Sequence, residues 1–281
     1  MRSRHFHGLS KAGFHRLHYV EWGESREGVP VICIHGLTQN ARGFDELARA
    51  ASLDRWTLCL DVAGRGGSGR LPDPALYDYA QYLADANALI ARLGSEQVDI
   101  VGTSMGGLIG MFLAAMPGSP VRRLVMNDVG PFIPRAALAR IREYVSRAWR
   151  FADVHGLEQH MRQAYATFGP LSDAQWATLA RQSATVLDDG AVVPHWDPKI
   201  GEVFASTPPS DVNMWPYWDQ VKCPVLLLRG AESDLLLPKT AAEMTRRGPR
   251  AELVEFAAVG HAPVLLDGDQ IRPVIEFLGT S

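Results

Sequence analysis

Continuous apolar segments alternate with helical patterns along most of this 281-residue chain. Uninterrupted apolar runs are typical of strands covered on both faces, as in parallel sheets. Helical patterns between them predict the α/β class, with a mostly parallel central sheet flanked by helices. A loosely alternating segment, residues 17–22, predicts an antiparallel edge strand. The other expected strands are residues 29–34, 56–62, 98–101, 123–127, 224–228 and 253–256, and the expected helices are residues 79–93, 105–116, 238–247 and 270–278.

A long segment between residues 127 and 224 breaks this alternation. Residues 137–150, 157–167 and 172–185 have helical spacing, and the segment is rich in large aromatic residues. An insertion at the carboxyl edge of a parallel sheet lies over the place where ligands bind. We therefore expect a core domain of residues 1–131 and 216–281 and a helical cap of residues 132–215. Most of the aromatic side chains are expected to pack the cap onto the core.

The charge distribution argues against binding to nucleic acid or to an anionic membrane. The formal net charge is −3 and the isoelectric point is near 6.3. Both kinds of partner require clustered lysine and arginine, whereas the arginines here are scattered. The densest group, residues 140–150, is interleaved with apolar residues at helical spacing and is interpreted as the solvated face of an amphipathic helix. The expected partner is a small molecule.

The cysteines and the N-terminus favour a cytoplasmic location. Cys33, Cys59 and Cys223 each lie in an apolar run, and none has the spacing of a metal site. An odd number of cysteines without a disulfide framework is typical of a reducing compartment. The first residues lack the apolar region of a secretory signal, and no stretch approaches the length of a spanning helix.

A G-x-S-x-G run places Ser104 between a buried strand and a helix. Small residues are needed two positions before and after the serine because the sharp turn strains its backbone. The turn exposes the hydroxyl to a substrate. This nucleophile elbow predicts covalent chemistry at Ser104 and requires a base and an orienting acid elsewhere in the chain.

The base and the acid are expected downstream of the serine. His261 follows a short apolar strand, on the loop that faces such an elbow, and is the predicted general base. Asp234, just past the strand of residues 224–228, is the predicted orienting acid. Glu232 lies nearer that strand, and Asp128 ends the strand that follows the elbow helix. Both remain alternatives for the acid.

Two backbone amides are predicted to stabilise the oxyanion that forms when a serine attacks a carbonyl. One is the N–H of Met105, directly after the nucleophile. The other is the N–H of Leu37, in the turn after the strand of residues 29–34. His35 precedes the glycine of that turn and is expected to brace the loop rather than act as a base.

A glycine-rich run at residues 64–69 matches the G-x-G-x-x-G pattern of dinucleotide sites. Such a site needs a helix that begins inside the motif to hold the pyrophosphate. Pro72 and Pro74 follow instead, so the glycines predict a flexible loop and no nicotinamide or flavin cofactor. No zinc-binding motif, paired CxxC or histidine cluster indicates a catalytic metal.

With these residues the chain resembles the α/β-hydrolase superfamily over almost its whole length, through Ser104, Asp234, His261, His35-Gly36 and the 64–69 loop. Residues 102–107 are similar to the elbow of its carboxylesterase, enol-lactonase and carbon–carbon-bond hydrolase branch. The resemblance implies a cofactor-free hydrolase with an acyl-enzyme or gem-diol intermediate. Haloalkane dehalogenases and epoxide hydrolases carry aspartate at the nucleophile position, so Ser104 disfavours both activities. Proline iminopeptidases typically carry tryptophan after the serine, and Met105 departs from that pattern.

The resemblance implies a reaction more clearly than a substrate. The aromatic insertion and the modest charge favour a small, fairly apolar acyl or aryl ester, since an anionic substrate usually recruits an arginine clamp. Such a clamp could be built from Arg65 or Arg229. Serine carboxylesterase is the leading hypothesis. The alternatives are carbon–carbon-bond hydrolysis or enol-lactone hydrolysis with the same residues, and a ligand-sensing receptor on a hydrolase fold.

Overall fold

The structure, a computed structural model, describes residues 1–24 and 28–279; residues 25–27, 280 and 281 of the predicted core domain lie outside the described residues. The strands are β1 (Arg2–Ser10), β2 (Gly13–Trp22), β3 (Val31–Ile34), β4 (Thr57–Asp61), β5 (Val98–Thr103), β6 (Val121–Asn127), β7 (Phe132–Ile133), β8 (Ala184–Val186), β9 (Val192–Pro194), β10 (Val212–Asn213), β11 (Val225–Gly230) and β12 (Glu252–Phe256). The α-helices are α1 (Asp45–Ala51), α2 (Tyr79–Arg92), α3 (Met105–Ala115), α4 (Arg135–Val145), α5 (Val154–Ala164), α6 (Asp173–Ser183), α7 (Lys199–Ser206), α8 (Trp215–Trp218), α9 (Pro238–Met244) and α10 (Gly268–Gly279).

Eight of the described strands form one sheet in the order β1-β2-β4-β3-β5-β6-β11-β12. The six strands from β4 to β12 pair in parallel, and β2 pairs antiparallel with both β1 and β4. Every residue of β3, β4 and β5 is buried, as the continuous apolar runs predict. The predicted α/β architecture with a mostly parallel sheet is confirmed.

The predicted edge strand is longer than expected and is not at the edge. Strand β2 runs from Gly13 to Trp22, and β1 pairs along its outer side. Only two of the nine residues of β1 are buried, so it has no apolar run that sequence reasoning could detect. Arg2 and Arg4 reach across from β1 to the carboxylate of Glu21. The sheet edge is therefore held partly by ion pairs that ordinary strand patterns do not reveal.

Helices cover the sheet on both faces because the pleat sends alternate residues to opposite sides. In β3, Ile32 and Ile34 pack in the larger core with residues of α2, α3 and α9. Val31 and Cys33 pack in a second core with residues of α1 and α10. This double covering explains why the central strands are apolar throughout.

The long segment between β6 and β11 carries helices α4 to α8. Helices α4, α5 and α6 match the three predicted helical patterns, whereas α7 was not predicted. Helices α5 and α6 form a small core of their own with residues of β9. Ala137, Ile141 and Val145 of α4 pack instead in the larger core. None of the helices in the described residues is both long enough and apolar enough to cross a membrane.

Contacts between the insertion and two loops place it over the carboxyl edge of the sheet. The Tyr165 hydroxyl lies 3.0 Å from the hydroxyl of Thr38, in the loop after β3. The backbone N–H of Gly260, in the loop after β12, donates to the carbonyl oxygen of Thr167. Both loops follow strands of the parallel sheet at the end where ligands bind in this class of fold.

Candidate active site

Ser104 occupies a strained turn between β5 and α3. Its φ and ψ are 52° and −115°, outside the ordinary helical and extended regions. A Cβ atom on Gly102 would lie 2.3 Å from the backbone of Gly106, and one on Gly106 would lie 1.9 Å from the carbonyl oxygen of Ile34. Both glycines are therefore required by close backbone approach, as the elbow motif predicts.

His261 lies within hydrogen-bonding distance of the serine. Its Nε2 is 3.0 Å from Oγ of Ser104, and its Nδ1 is 2.7 Å from Oδ2 of Asp128. An ionised carboxylate can only accept, so Nδ1 carries the proton and Nε2 is left to accept the serine proton. The structure thus brings Ser104 and His261 together as the sequence predicts. Their catalytic roles remain predictions.

The prediction that Asp234 orients His261 is wrong. Its carboxylate forms two hydrogen bonds with the guanidinium of Arg140, and its side chain is 50% exposed. The loop after β11 turns Ser233 inward, where its hydroxyl accepts the backbone N–H groups of Leu235 and Leu236, and this turn directs Asp234 outward. Glu232, the second alternative, is also exposed. The other alternative, Asp128, is the carboxylate that contacts the histidine.

Asp128 is held in one orientation by donors from β11 and from the loop that follows it. Its side chain is fully buried. Oδ1 accepts the N–H of Gly230 at 2.9 Å, and Oδ2 accepts the hydroxyl of Ser233 at 2.6 Å. A buried carboxylate is tolerated only when such donors replace water. Sequence reasoning missed Ser233; the only signal was its position beside Asp234 in the loop after β11.

Asn127 joins the elbow to the histidine loop. Its side-chain amide donates to the carbonyl oxygen of Pro263 at 2.8 Å and to Oγ1 of Thr103 at 3.1 Å. Thr103 precedes the nucleophile, and Pro263 lies two residues after His261. The last residue of β6 therefore ties both reacting groups to the central sheet, and the next residue supplies the carboxylate.

His35 braces the turn after β3, as predicted. Its Nδ1 donates to the carbonyl oxygen of Gly36 at 2.7 Å, and its Nε2 accepts the N–H of Val62 at 3.0 Å. Burial lowers the pKa of His35 to about 4, so the ring is neutral near pH 7. Both ring nitrogens of His35 are hydrogen-bonded to backbone groups and the ring is neutral. His35 therefore stabilises the loop and does not act as a base.

Arg65 contacts both residues predicted to form the oxyanion hole. Its Nε donates to the carbonyl oxygen of Leu37 at 3.0 Å, and its Nη2 lies 3.6 Å from the sulfur of Met105. The side chain is completely buried, and its Nη1 donates to the hydroxyl of Tyr82. Arg229 is likewise buried and bonded to the carbonyl oxygen of Leu236. Neither arginine lines the cavities at Ser104, so neither forms the clamp considered for an anionic substrate.

Residues 64–69 form a loop without a helix, as the prolines predict, but hydrogen bonds to His195 and Asp61 hold its backbone, which was expected to be flexible. No helix begins among residues 64–73, all of which are described, and α2 starts only at Tyr79. A Cβ on Gly66 would lie 2.2 Å from the carboxylate of Asp61, which binds the backbone N–H of Gly67. The glycines therefore allow a tight turn around Asp61. Within residues 1–24 and 28–279, no three histidine, cysteine, aspartate or glutamate side chains are placed to hold a metal ion.

Two cavities meet at Ser104 in the described part of the chain. The larger has a volume of about 310 Å³ and a mostly apolar lining that includes Leu37, Met105, Leu108, Ile141, Val203 and Phe204. The smaller has a volume of about 50 Å³ and is lined by polar groups as well, including Thr38, Gln39, Arg140, Tyr165 and His261. The Ser104 hydroxyl therefore stands between an apolar compartment and a polar one.

The sequence of the chain is similar to those of known proteins. The profile of the Alpha/beta hydrolase family matches residues 31–274. The chain is 41% identical over 280 residues to the 3-hydroxybutyrate-oligomer hydrolase of Cupriavidus necator, covering 96% of this chain and 94% of that protein.

Solved structures have the same fold. An alpha/beta hydrolase from Novosphingobium aromaticivorans is 36% identical, with a TM-score of 0.88 over 99% of this chain and 97% of that one. A Rickettsia typhi protein is 28% identical, with a TM-score of 0.92 over 99% of both chains. The profile match and the full-length relative agree with the elbow and its histidine partner, and together they show that the chain is a hydrolase belonging to the Alpha/beta hydrolase family.

Proposed function

We propose that the protein is a serine carboxylic ester hydrolase that acts through Ser104, His261 and Asp128. The supporting observation is the continuous hydrogen-bonded chain from Oγ of Ser104 through the imidazole to the buried carboxylate. A serine hydroxyl is a poor nucleophile at neutral pH and needs such a base and such an orienting group. This proposal replaces Asp234 by Asp128 in the predicted catalytic set.

The chemistry follows from the placement of the three side chains. His261 Nε2 takes the proton of Ser104 as Oγ attacks the ester carbonyl. The resulting oxyanion is stabilised by the backbone N–H groups of Leu37 and Met105, whose side chains line the larger cavity. Collapse breaks the bond to the alcohol oxygen, and His261 returns the proton to the leaving alkoxide. Water, activated by the same imidazole, then releases the acid from the acyl-enzyme.

We propose short oligomeric esters of hydroxy acids as the substrate class, with 3-hydroxybutyrate oligomers as the leading example. The relative named for that activity is 41% identical over nearly the whole chain. An apolar cavity of about 310 Å³ beside Ser104 suits a short acyl group with methyl branches. Helices α4 and α7 of the insertion line one side of this cavity, and we propose that residues 132–215 act as a cap.

Activity measurements with matched variants test the proposal. Ser104→Ala should fold normally and lose release of nitrophenol from p-nitrophenyl acetate and cleavage of the linear 3-hydroxybutyrate dimer. Ser95→Ala is the control, because its hydroxyl bonds only the nearby carbonyl of Gln97 in a turn remote from the site. Turnover retained by Ser104→Ala, or lost equally by Ser95→Ala, would contradict the assignment of the nucleophile.

The same experiment distinguishes the alternatives. An enol lactone or a vinylogous diketone cleaved with a much higher kcat/KM than any ester would assign carbon–carbon-bond or lactone hydrolysis instead. Failure of a fluorophosphonate to label Ser104, together with tight reversible binding of a small molecule, would assign a receptor. Labelling of Ser104 with ester turnover supports the esterase.

A further inference from the structure

Arg140 lies at the mouth of the candidate active site. It is on α4 and lines the smaller cavity together with Ser104 and His261. Its side chain is 41% exposed, so the guanidinium reaches both the cavity and solvent. The sequence pattern of residues 140–150 predicted a solvated face; Arg140 is partly solvated, but it also lines a cavity at Ser104, which the pattern did not indicate.

The two cavities differ in which half of an ester they can receive. Ser104 lines both, whereas His261 lines only the smaller one. The imidazole must hand its proton to the alkoxide that departs, so the alcohol half has to lie on the histidine side. The acyl half then occupies the larger apolar cavity. The geometry therefore assigns the polar compartment, with Arg140 at its rim, to the leaving alcohol.

The guanidinium of Arg140 is oriented so that it can bind an anion in the smaller cavity. Among the described residues that line the two cavities it is the one lysine or arginine. Asp234 holds Nε and Nη2 at 2.6 and 2.9 Å, which fixes the plane of the guanidinium. Nη1 takes no part in those bonds. A guanidinium held in this way can still donate to a carboxylate, and such charge-assisted bonds are stronger than neutral ones.

We infer that Arg140 binds the free carboxylate of the alcohol half of the substrate. This inference rests on the proposed function and specifies its direction. In a 3-hydroxybutyrate oligomer the terminal carboxylate is two carbons from the carbon that bears the ester oxygen, so a carboxylate at the mouth of the compartment, beside Arg140, leaves the ester oxygen near His261. The bond from Oγ of Ser104 to the carbonyl carbon forms, the carbon–oxygen bond to the terminal unit breaks, and His261 protonates that oxygen. Each cycle consumes one water and releases one hydroxy acid from the carboxyl end.

A pair of substrates that differ only in charge tests the inference. One is the linear 3-hydroxybutyrate dimer with a free carboxylate, and the other is the same dimer with that carboxylate converted to a primary amide. The quantity compared is the ratio of kcat/KM for the acid to kcat/KM for the amide. We expect the wild-type protein to favour the acid by at least about tenfold, and Arg140→Gln to reduce the ratio by about 10- to 100-fold, mainly through KM for the acid.

Two further variants separate binding from a structural effect of Arg140. Arg142→Gln changes another arginine of α4, which bonds the carbonyl of Ala205 and does not line either cavity, and should keep the wild-type ratio. Asp234→Asn weakens the ion pair between α4 and the core but leaves the guanidinium, and should retain preference for the acid. Loss of preference in Asp234→Asn to the same extent as in Arg140→Gln would show that the pair closes the site and would overturn the inference.

The failures of the two proposals are distinguishable. If the wild-type protein does not release nitrophenol from p-nitrophenyl acetate, which carries no carboxylate, the esterase assignment fails. If it does so and yet hydrolyses the acid and the amide dimer equally, or if Arg140→Gln keeps the wild-type ratio, the esterase stands and the carboxylate site at Arg140 is refuted.

Discussion

The Ser233 hydroxyl donates to Oδ2 of Asp128 across 2.6 Å, which joins the loop after β11 to the residue that follows β6. The same oxygen accepts the hydrogen bond that Nδ1–H of His261 donates. The loop in which the sequence places the orienting acid therefore supplies a hydrogen-bond donor to an acid from the adjacent strand. The loop after β11 thus supplies a donor, and the residue after β6 supplies the carboxylate that contacts His261. Substitutions at Ser233, Asp128 and Asp234 should therefore have different effects.

Asp128→Asn and Asp234→Asn should differ greatly in their effect on ester hydrolysis. An amide at position 128 can donate to Nδ1 and so favours the wrong tautomer of His261, which in serine proteases lowers kcat by about 10⁴-fold. Asp234 contacts Arg140 and not the imidazole, so Asp234→Asn should lose less than about tenfold of kcat with p-nitrophenyl acetate. Steady-state kinetics decide this, and comparable losses in both variants would contradict the assignment of Asp128.

Ser233→Ala should weaken both catalysis and stability. It removes one of the three donors to a fully buried carboxylate, and a hydrogen bond to a charged group contributes about 1.5–3 kcal/mol. We expect kcat to fall by about tenfold and the midpoint of urea unfolding to decrease. Ser233→Thr keeps the hydroxyl and is the matched control. If it behaves like Ser233→Ala, the effect arises from packing and not from the hydrogen bond.

Gly106→Ala should prevent the elbow from forming. The added Cβ would lie 1.9 Å from the carbonyl oxygen of Ile34, and backbone in a central strand cannot move aside without disturbing its neighbours. The expected result is loss of soluble folded protein, measured by circular dichroism and thermal unfolding. Gly268→Ala is the control because a Cβ there meets nothing within 4 Å. A Gly106→Ala variant with wild-type melting temperature would show that the turn is less constrained than its geometry indicates.

Stability should fall as the solution is acidified from about pH 6.5 towards pH 4. Burial lowers the pKa of both His35 and His195 to about 4, whereas a histidine in an unfolded chain titrates near pH 6.5. In this window the unfolded chain binds more protons, so the stabilisation is fully present above it and is lost on acidification. Each histidine can add a slope of up to about 1.4 kcal/mol per pH unit to the free energy of unfolding.

The variant His195→Asn isolates one of these contributions. Its amide oxygen can replace Nδ1 as the acceptor for the N–H of Gly66, but it does not titrate. Urea unfolding at several pH values should give a shallower slope than the wild-type protein. An identical slope would mean that His195 takes up no extra proton on unfolding.

Features that depend on a local sequence pattern could be predicted from the sequence alone. Buried strands, the elbow at Ser104 and the placement of His261 follow from runs of apolar residues and from glycines that only a close backbone approach explains. The choice of acid does not follow from pattern, because Asp128 and Asp234 both lie within a few residues of the end of a buried strand. It is decided by the inward turn of Ser233, which is a tertiary effect.

The position of Arg140 at the candidate active site could not be predicted from the sequence either, because it also depends on tertiary structure. Helical periodicity shows which residues share a face of α4 but not what the face meets. Ile141 packs in the larger core, and the adjacent arginine lines the cavity at Ser104 only because the insertion places α4 beside that cavity. Strand β1 was missed because its residues are mostly polar and exposed and pair with β2 through the backbone.

The hydrogen bond from Gly260 to Thr167 connects the residue just before the imidazole with the insertion. Any outward swing of the insertion that widens the entrance has to stretch or break this link, and it would pull on the segment that aligns His261. One backbone hydrogen bond thus couples the position of the insertion to the position of the proposed general base.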